Sequence, residues 1–272
     1  MRCVFCGQDT TNSKSVEHII PESFGNSKKV LRRGIVCDKC NNYFARKIEG
    51  PFLSKYPVLQ LRKELDIKNK NGVVPRVDAF DGFIKEIKMD ETYIVYSKQD
   101  LSESEIAKTV AKYKDYVKKQ DEQLTQQDYQ LSRLLAKIAV ENFIDACGQS
   151  DEVCNDIIND KGFDLIREYV RYGGKNIWPY NARRIYSKNE AYQGDPFSAI
   201  NWECDFLFTG RGEIYSVIAL FGIEYAINIG GPFIDGYKYW LKRNHNESPL
   251  YISREKRARN YRAYSKKVYS KI

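Results

Sequence analysis

Two Cys-x-x-Cys pairs, Cys3/Cys6 and Cys37/Cys40, constrain this chain more than anything else in it. Two cysteines on a tight turn can aim both thiolates at one ion, and the first turn ends in Gly7. Thirty residues separate Cys6 from Cys37. That is more than a compact zinc finger holds, so something is inserted between the ligand pairs. Four thiolates leave zinc no open position, so the predicted ion holds shape and does not catalyse. The other three cysteines, Cys147, Cys154 and Cys204, show no pair spacing and read as thiols without chemistry.

A metal reading of paired cysteines presupposes a reducing compartment. Met1-Arg2-Cys3 opens no apolar leader, and no run approaches eighteen apolar residues. The expectation is a cytoplasmic protein with no membrane span.

The insert contains Glu17-His18-Ile19-Ile20-Pro21, then Phe24-Gly25-Asn26, then Val30 to Val36. This predicts a short strand, a loop and a short strand, with a helix starting near Asn41. A β-β-α unit of this size is too small for a core of its own and needs a metal staple. His18 is one of two histidines in the chain. Cutting a phosphodiester with water requires a group that takes the water's proton, and neutral imidazole does so at physiological pH. The leaving alkoxide needs a cation beside it. A hard divalent ion, Mg²⁺ or Mn²⁺, held lightly by the oxygens of Glu17 and Asn41 supplies one. Asn42 and Glu49 are weaker candidate ligands. Lys28, Lys29, Arg32, Arg33, Arg46 and Lys47 suit contacts to nucleic-acid phosphates.

The order Cys-x-x-Cys, acid-His-Ile-x-Pro, Cys-x-x-Cys-Asn resembles the HNH endonucleases, the ββα-metal superfamily, in their zinc-bearing branch. The likeness covers about residues 1–50 and implies metal-dependent cleavage of DNA. By position, His18 matches the general base. Glu17 matches the acidic metal ligand, where Asp is more usual, and Asn41 matches the last letter of the motif. One departure stands out. The middle Asn of the family falls on Arg32 here, so the task of holding the loop passes to Asn26 or to backbone groups.

Charge is uneven along the chain. Residues 1–76 carry 15 Lys/Arg against 7 Asp/Glu, and residues 253–272 carry 8 against one, on a total of +8. The stretch between is therefore acidic, and basic ends on an acidic body suggest a polyanion partner. In the tail, Tyr261, Tyr264 and Tyr269 interleave with the basic residues, which adds ring stacking to charge.

The fold class expected is α+β: a zinc-stapled ββα-metal unit over 1–56, then a helical and antiparallel-sheet domain over 57–272. Within the second part, 59–65 reads as a short helix and Asp81-Gly82 as a hairpin turn. Ser102 with Glu105 opens a helix over 102–120, and 127–147 forms the strongest helix, ended by Gly148. A third helix runs from 152 to 172 with a break at Gly162, and 197–231 reads as a strand meander. The helices are assigned to packing. Phe206, Phe208, Tyr215 and Phe221 are assigned to the core rather than to base stacking. Three functional readings follow: a DNA endonuclease of restriction or phage defence, a zinc-dependent nucleic-acid-binding module without catalysis, and an RNA-directed nuclease. A single such site nicks one strand, so a homodimer or an activating protein partner would serve double-strand cleavage.

Overall fold

The computed structural model describes residues 1–65, 67–69, 71–75, 89–90, 92–93, 102–186 and 201–251. The Asp81-Gly82 turn and the basic tail lie outside these residues. The chain is α+β, with a helical body and a four-stranded antiparallel sheet.

The first knuckle turns at Gly7, whose φ of 70° suits a residue without Cβ. Gly7 N–H donates to Cys3 O, and Cys3 N–H donates to Gln8 O, both at 2.8 Å. The second knuckle opens helix α1 (Asp38–Phe44). This helix starts at Asp38 rather than near Asn41, because Cys37 itself is the N-cap and its sulfur accepts from Cys40 N–H.

Between the knuckles, the two expected strands reduce to one antiparallel bridge, His18 with Val30. Leu31 N–H donates to Glu17 O at 2.9 Å, and Ile19 N–H donates to Lys29 O at 3.2 Å. Pro21 and the single 3-10 turn Glu22–Phe24 stop the ladder. Beyond them, α1 runs through a π-helical turn (Ala45–Glu49) into α2 (Gly50–Leu53). Helix α3 (Tyr56–Glu64) follows, at the place of the short helix read from the sequence.

A two-residue pair, β1 (Met89–Asp90) with β2 (Thr92–Tyr93), precedes the body. Helix α4 (Glu103–Thr125) begins with the capping box: Ser102 N–H donates to Glu105 Oε2 at 2.9 Å. Helix α5 (Tyr129–Ala146) is capped by Asp128. The third predicted helix divides near Gly162 into α6 (Asp151–Asn159) and α7 (Asp164–Tyr172). The sheet has the order β3-β6-β5-β4, from β3 (Tyr180–Arg184), β4 (Trp202–Phe208), β5 (Ile214–Leu220) and β6 (Ile223–Asn228). The meander β4 to β6 is legible in the sequence. Strand β3 is not, since Tyr-Asn-Ala-Arg-Arg has no apolar alternation. Its arginines pair with acids elsewhere, Arg183 with Glu224 and Arg184 with Asp121. Helix α8 (Asp235–Arg243) closes the described body.

Both faces of the sheet are covered. Ile218, Leu220, Ile223, Tyr225 and Ile227 join one cluster with Leu134, Leu135 and Ile138 of α5. On the other face, Val217, Ala219 and Ala226 meet Tyr237 and Leu241 of α8. The period-two alternation of the strands sorts these residues to their faces. Ile19, Ile20, Phe24, Phe44 and Ile48 of the N-terminal unit belong to the first cluster. The unit therefore completes its core with the body. Phe24 stands between Phe52, at 6.3 Å between ring centroids, and Phe221 in the β5–β6 turn, at 5.4 Å. Of the four strand aromatics assigned to the core, Tyr215 and Phe221 are buried, Phe206 is half-buried and Phe208 is exposed.

Candidate active site

The sulfurs of Cys3, Cys6, Cys37 and Cys40 lie within 4.8 Å of one another, Cys6 and Cys37 at 3.7 Å. Tetrahedral zinc with Zn–S near 2.3 Å places its sulfurs about 3.8 Å apart, so the cluster fits the ion. A hydrogen bond from Cys40 lowers the Cys3 thiol to about 5, while that bond and burial push the Cys40 thiol up. The N–H groups of Cys37 and Cys40 each donate to a sulfur at 3.4 Å, which favours thiolate. The donor set is that of a closed structural zinc site.

A separate cleft is lined by Glu17, His18, Asn41 and Glu49, with Pro21, Ser23 and Asn69. The hairpin bridge carries Glu17 and His18, and α1 with its π turn carries Asn41 and Glu49. Eight residues at 3.6 per turn overshoot whole turns by about 80°. The wider π turn takes up part of that offset and returns Glu49 to the face of Asn41. Asn41 Nδ2 donates to Val16 O at 3.2 Å, so its amide oxygen could meet an ion. Two buried atoms in the cleft residues lack a partner among the described residues: Glu17 Oε2 and His18 Nδ1. Glu17, Glu49 and Asn41 together offer the oxygen donors that suit a hard divalent ion.

The loop behind the cleft is held by Asn26, which is 1% exposed. Its Nδ2 donates to Ile20 O at 2.7 Å and Lys29 O at 2.8 Å. Its Oδ1 accepts from Lys28 N–H at 3.1 Å and Lys29 N–H at 2.8 Å. One side-chain amide thus does across the loop what a further rung of strand pairing would do. Arg32, at the position of the absent middle Asn, faces away and pairs with Asp151.

The charged residues assigned to phosphate contacts divide. Lys28, Arg33, Arg46 and Lys47 are exposed. Lys29 and Arg32 are tied to the body, through Asp145 at 3.3 Å and through Asp151. Asn42 is exposed and His245 sits on a surface turn at φ 55°.

The body contributes a side chain that a pure packing role for its helices does not foresee. Lys137 of α5 is 0% exposed. Its ammonium reaches Glu17 Oε1 at 2.7 Å, Glu141 Oε2 at 2.9 Å, Glu49 Oε1 at 3.0 Å and His18 O at 3.0 Å. Burial alone would lower the Lys137 ammonium, but the carboxylates outweigh it and hold it well above its ordinary value. Burial pushes the Glu17 carboxyl up to about 7 against the pull of Lys137, and the charge of Glu49 adds to the rise. Burial also lifts the Glu141 carboxyl well above the carboxylate range. The signal available in the sequence is a stripe of charge, Arg133, Lys137 and Glu141 at intervals of four, on a helix rich in apolar residues.

Residues 3–57 match the family model of the HNH endonucleases. Over this segment, about a fifth of the chain, the sequence is similar to an HNH endonuclease domain. No curated protein and no solved structure matched the chain. The likeness points to nuclease chemistry on a nucleic acid, and the four cysteines fit the zinc-bearing branch. Among the described residues, no helix is long and apolar enough to cross a membrane.

Proposed function

We propose that the chain is a divalent-metal-dependent endonuclease acting on DNA, with His18 as general base and Glu17 and Asn41 as ligands of Mg²⁺ or Mn²⁺. The observation that carries this reading is the pair of unpartnered buried atoms on consecutive residues, Glu17 Oε2 and His18 Nδ1, in the cleft that also holds Asn41 and Glu49. A buried acceptor left without a partner costs stability unless a ligand completes it. A divalent ion bound there would orient the phosphate and stabilise the leaving alkoxide. His18 accepts the proton of the attacking water, and its backbone is fixed by Val30 on one side and Lys137 on the other. Lys28, Arg33, Arg46 and Lys47 steer the phosphate backbone. One site cuts one strand, so a second copy or an activating partner is needed for a double-strand break. Restriction or phage defence is the setting the family likeness favours.

The test is nicking of supercoiled plasmid by wild type and His18→Ala with EDTA, Mg²⁺ or Mn²⁺, zinc content being checked in both. Metal-dependent nicking that falls at least ~100-fold in the zinc-loaded variant is the expected result. Equal nicking by both proteins overturns it. A matched RNA substrate in the same assay tests the RNA-directed reading. The non-catalytic reading draws on Arg32 at the middle position, and salt-sensitive DNA binding without nicking under any metal would favour it.

A further inference from the structure

We infer that Lys137 is a positioning residue for the nuclease site, and that the site is therefore built jointly by the HNH domain and α5. This rests on the reading of Glu17 and His18 given above. Lys137 is fully buried, so it touches no substrate. Its four oxygen partners exceed the three protons it can donate, and three of them belong to the HNH domain: Glu17, Glu49 and the carbonyl of His18. The contact to His18 O fixes the backbone of the base. The contact to Glu17 Oε1 fixes the carboxylate plane and leaves Oε2 for an ion, so Glu17 is set up to bind through one oxygen. The contact to Glu49 draws the end of the π turn toward the same point.

A second consequence is electrostatic. An ammonium 2.7 Å from a metal-binding carboxylate repels a second cation approaching it. Lys137 therefore keeps the site a weak ion binder in the absence of DNA, and the phosphate supplies the remaining oxygen ligands. Positioning and weakening act in opposite directions on two measurable quantities. Loss of Lys137 should reduce nicking while tightening the binding of an ion to the free protein. A side chain that merely supported the fold would weaken both.

The variant is Lys137→Met combined with Glu141→Gln, which removes the ammonium together with an acid that would otherwise be buried without it. Single Lys137→Met and Lys137→Arg proteins accompany it. Mn²⁺ binding without DNA is read by electron paramagnetic resonance, and nicking is measured at saturating Mn²⁺, with zinc content as the check on folding. The expected result is Mn²⁺ binding about tenfold tighter and nicking at least about tenfold slower in the double variant, with Lys137→Arg between it and wild type. Mn²⁺ affinity unchanged or weakened in a zinc-loaded double variant overturns the inference. If wild type binds Mn²⁺ but nicks nothing, the nuclease reading fails while the affinity comparison still decides the role of Lys137. If neither wild type nor the double variant binds Mn²⁺, both fail.

Discussion

The four cysteines of the N-terminal unit and the three carboxylates around Lys137, two from that unit and Glu141 from α5, are both crowded sets of acids, and each is neutralised differently. The sulfurs surround a space that suits one ion and leave it no open position. The carboxylates surround an ammonium on α5, and among the described residues one oxygen of Glu17 and one of Glu141 are left over, that of Glu17 on a residue lining the cleft. The closed set holds shape. The open set keeps unmet valence at a cleft, which is what a site for chemistry requires. The difference follows from where the counter-charge lives. A metal brings all its charge to the centre of its ligands, whereas a lysine approaches from one side.

Breaking the closed set should have the larger effect. Cys40→Ser, or removal of zinc with a strong chelator, is expected to abolish both zinc content and nicking, because the knuckle is also the cap of α1. Metal analysis and circular dichroism check this. Retention of full nicking without zinc would reduce the sulfur cluster to a bystander. Next in size is the open set deprived of its cation. Single Lys137→Met should cost about 3–5 kcal/mol of unfolding free energy, measured in urea, because acids are left buried without their partner. A loss under about 1 kcal/mol would mean the acids rearrange to reach water.

The pH dependence of stability sharpens the contrast further. The Glu17 carboxyl is raised from 4.5 to about 7 on folding. Between those values the folded protein holds a proton that the unfolded chain has released. Stability should therefore fall as pH rises through this window, by an amount on the order of 1–3 kcal/mol, in zinc-loaded protein without Mg²⁺. Glu17→Gln should flatten that part of the profile. A rise in stability over the same window would contradict the burial of Glu17. The smallest effect belongs to the exposed cations. Arg46→Ala with Lys47→Ala should weaken DNA binding evenly across sequences and lower the salt slope by about one for each phosphate left without its cation. Filter binding across a salt series measures it.

The two sets are not equally legible in the sequence. Cys3, Cys6, Cys37 and Cys40 declare themselves because their geometry is local: on each turn the two cysteines stand three residues apart, visible as spacing. Glu17, His18 and Asn41 are named from their chemistry and from the resemblance rather than from spacing, and the structure brings all three to one cleft with Glu49. Lys137 lies 119 residues from His18 along the chain, and no local period reports such a contact. Its stripe with Arg133 and Glu141 looks like the solvent face of an amphipathic helix, although α5 is buried on nearly every side. Asn26 can be named as a stand-in for the missing middle Asn, but its four hydrogen bonds depend on where the loop closes. In the body, helix boundaries marked by Gly148, Gly162 and the Ser102 cap are readable, whereas β3 owes its place to pairing with β6 and to ion pairs rather than to its own residues.

The row of rings Phe52, Phe24 and Phe221 gives the hairpin a mechanical property it lacks alone. A ladder of one bridge bends easily, and a side chain carried on it would drift. Phe24 wedges the back of that hairpin against a helix on one side and the β5–β6 turn on the other. The cleft thereby takes its stiffness from a four-stranded sheet, and so short a loop can hold an imidazole still.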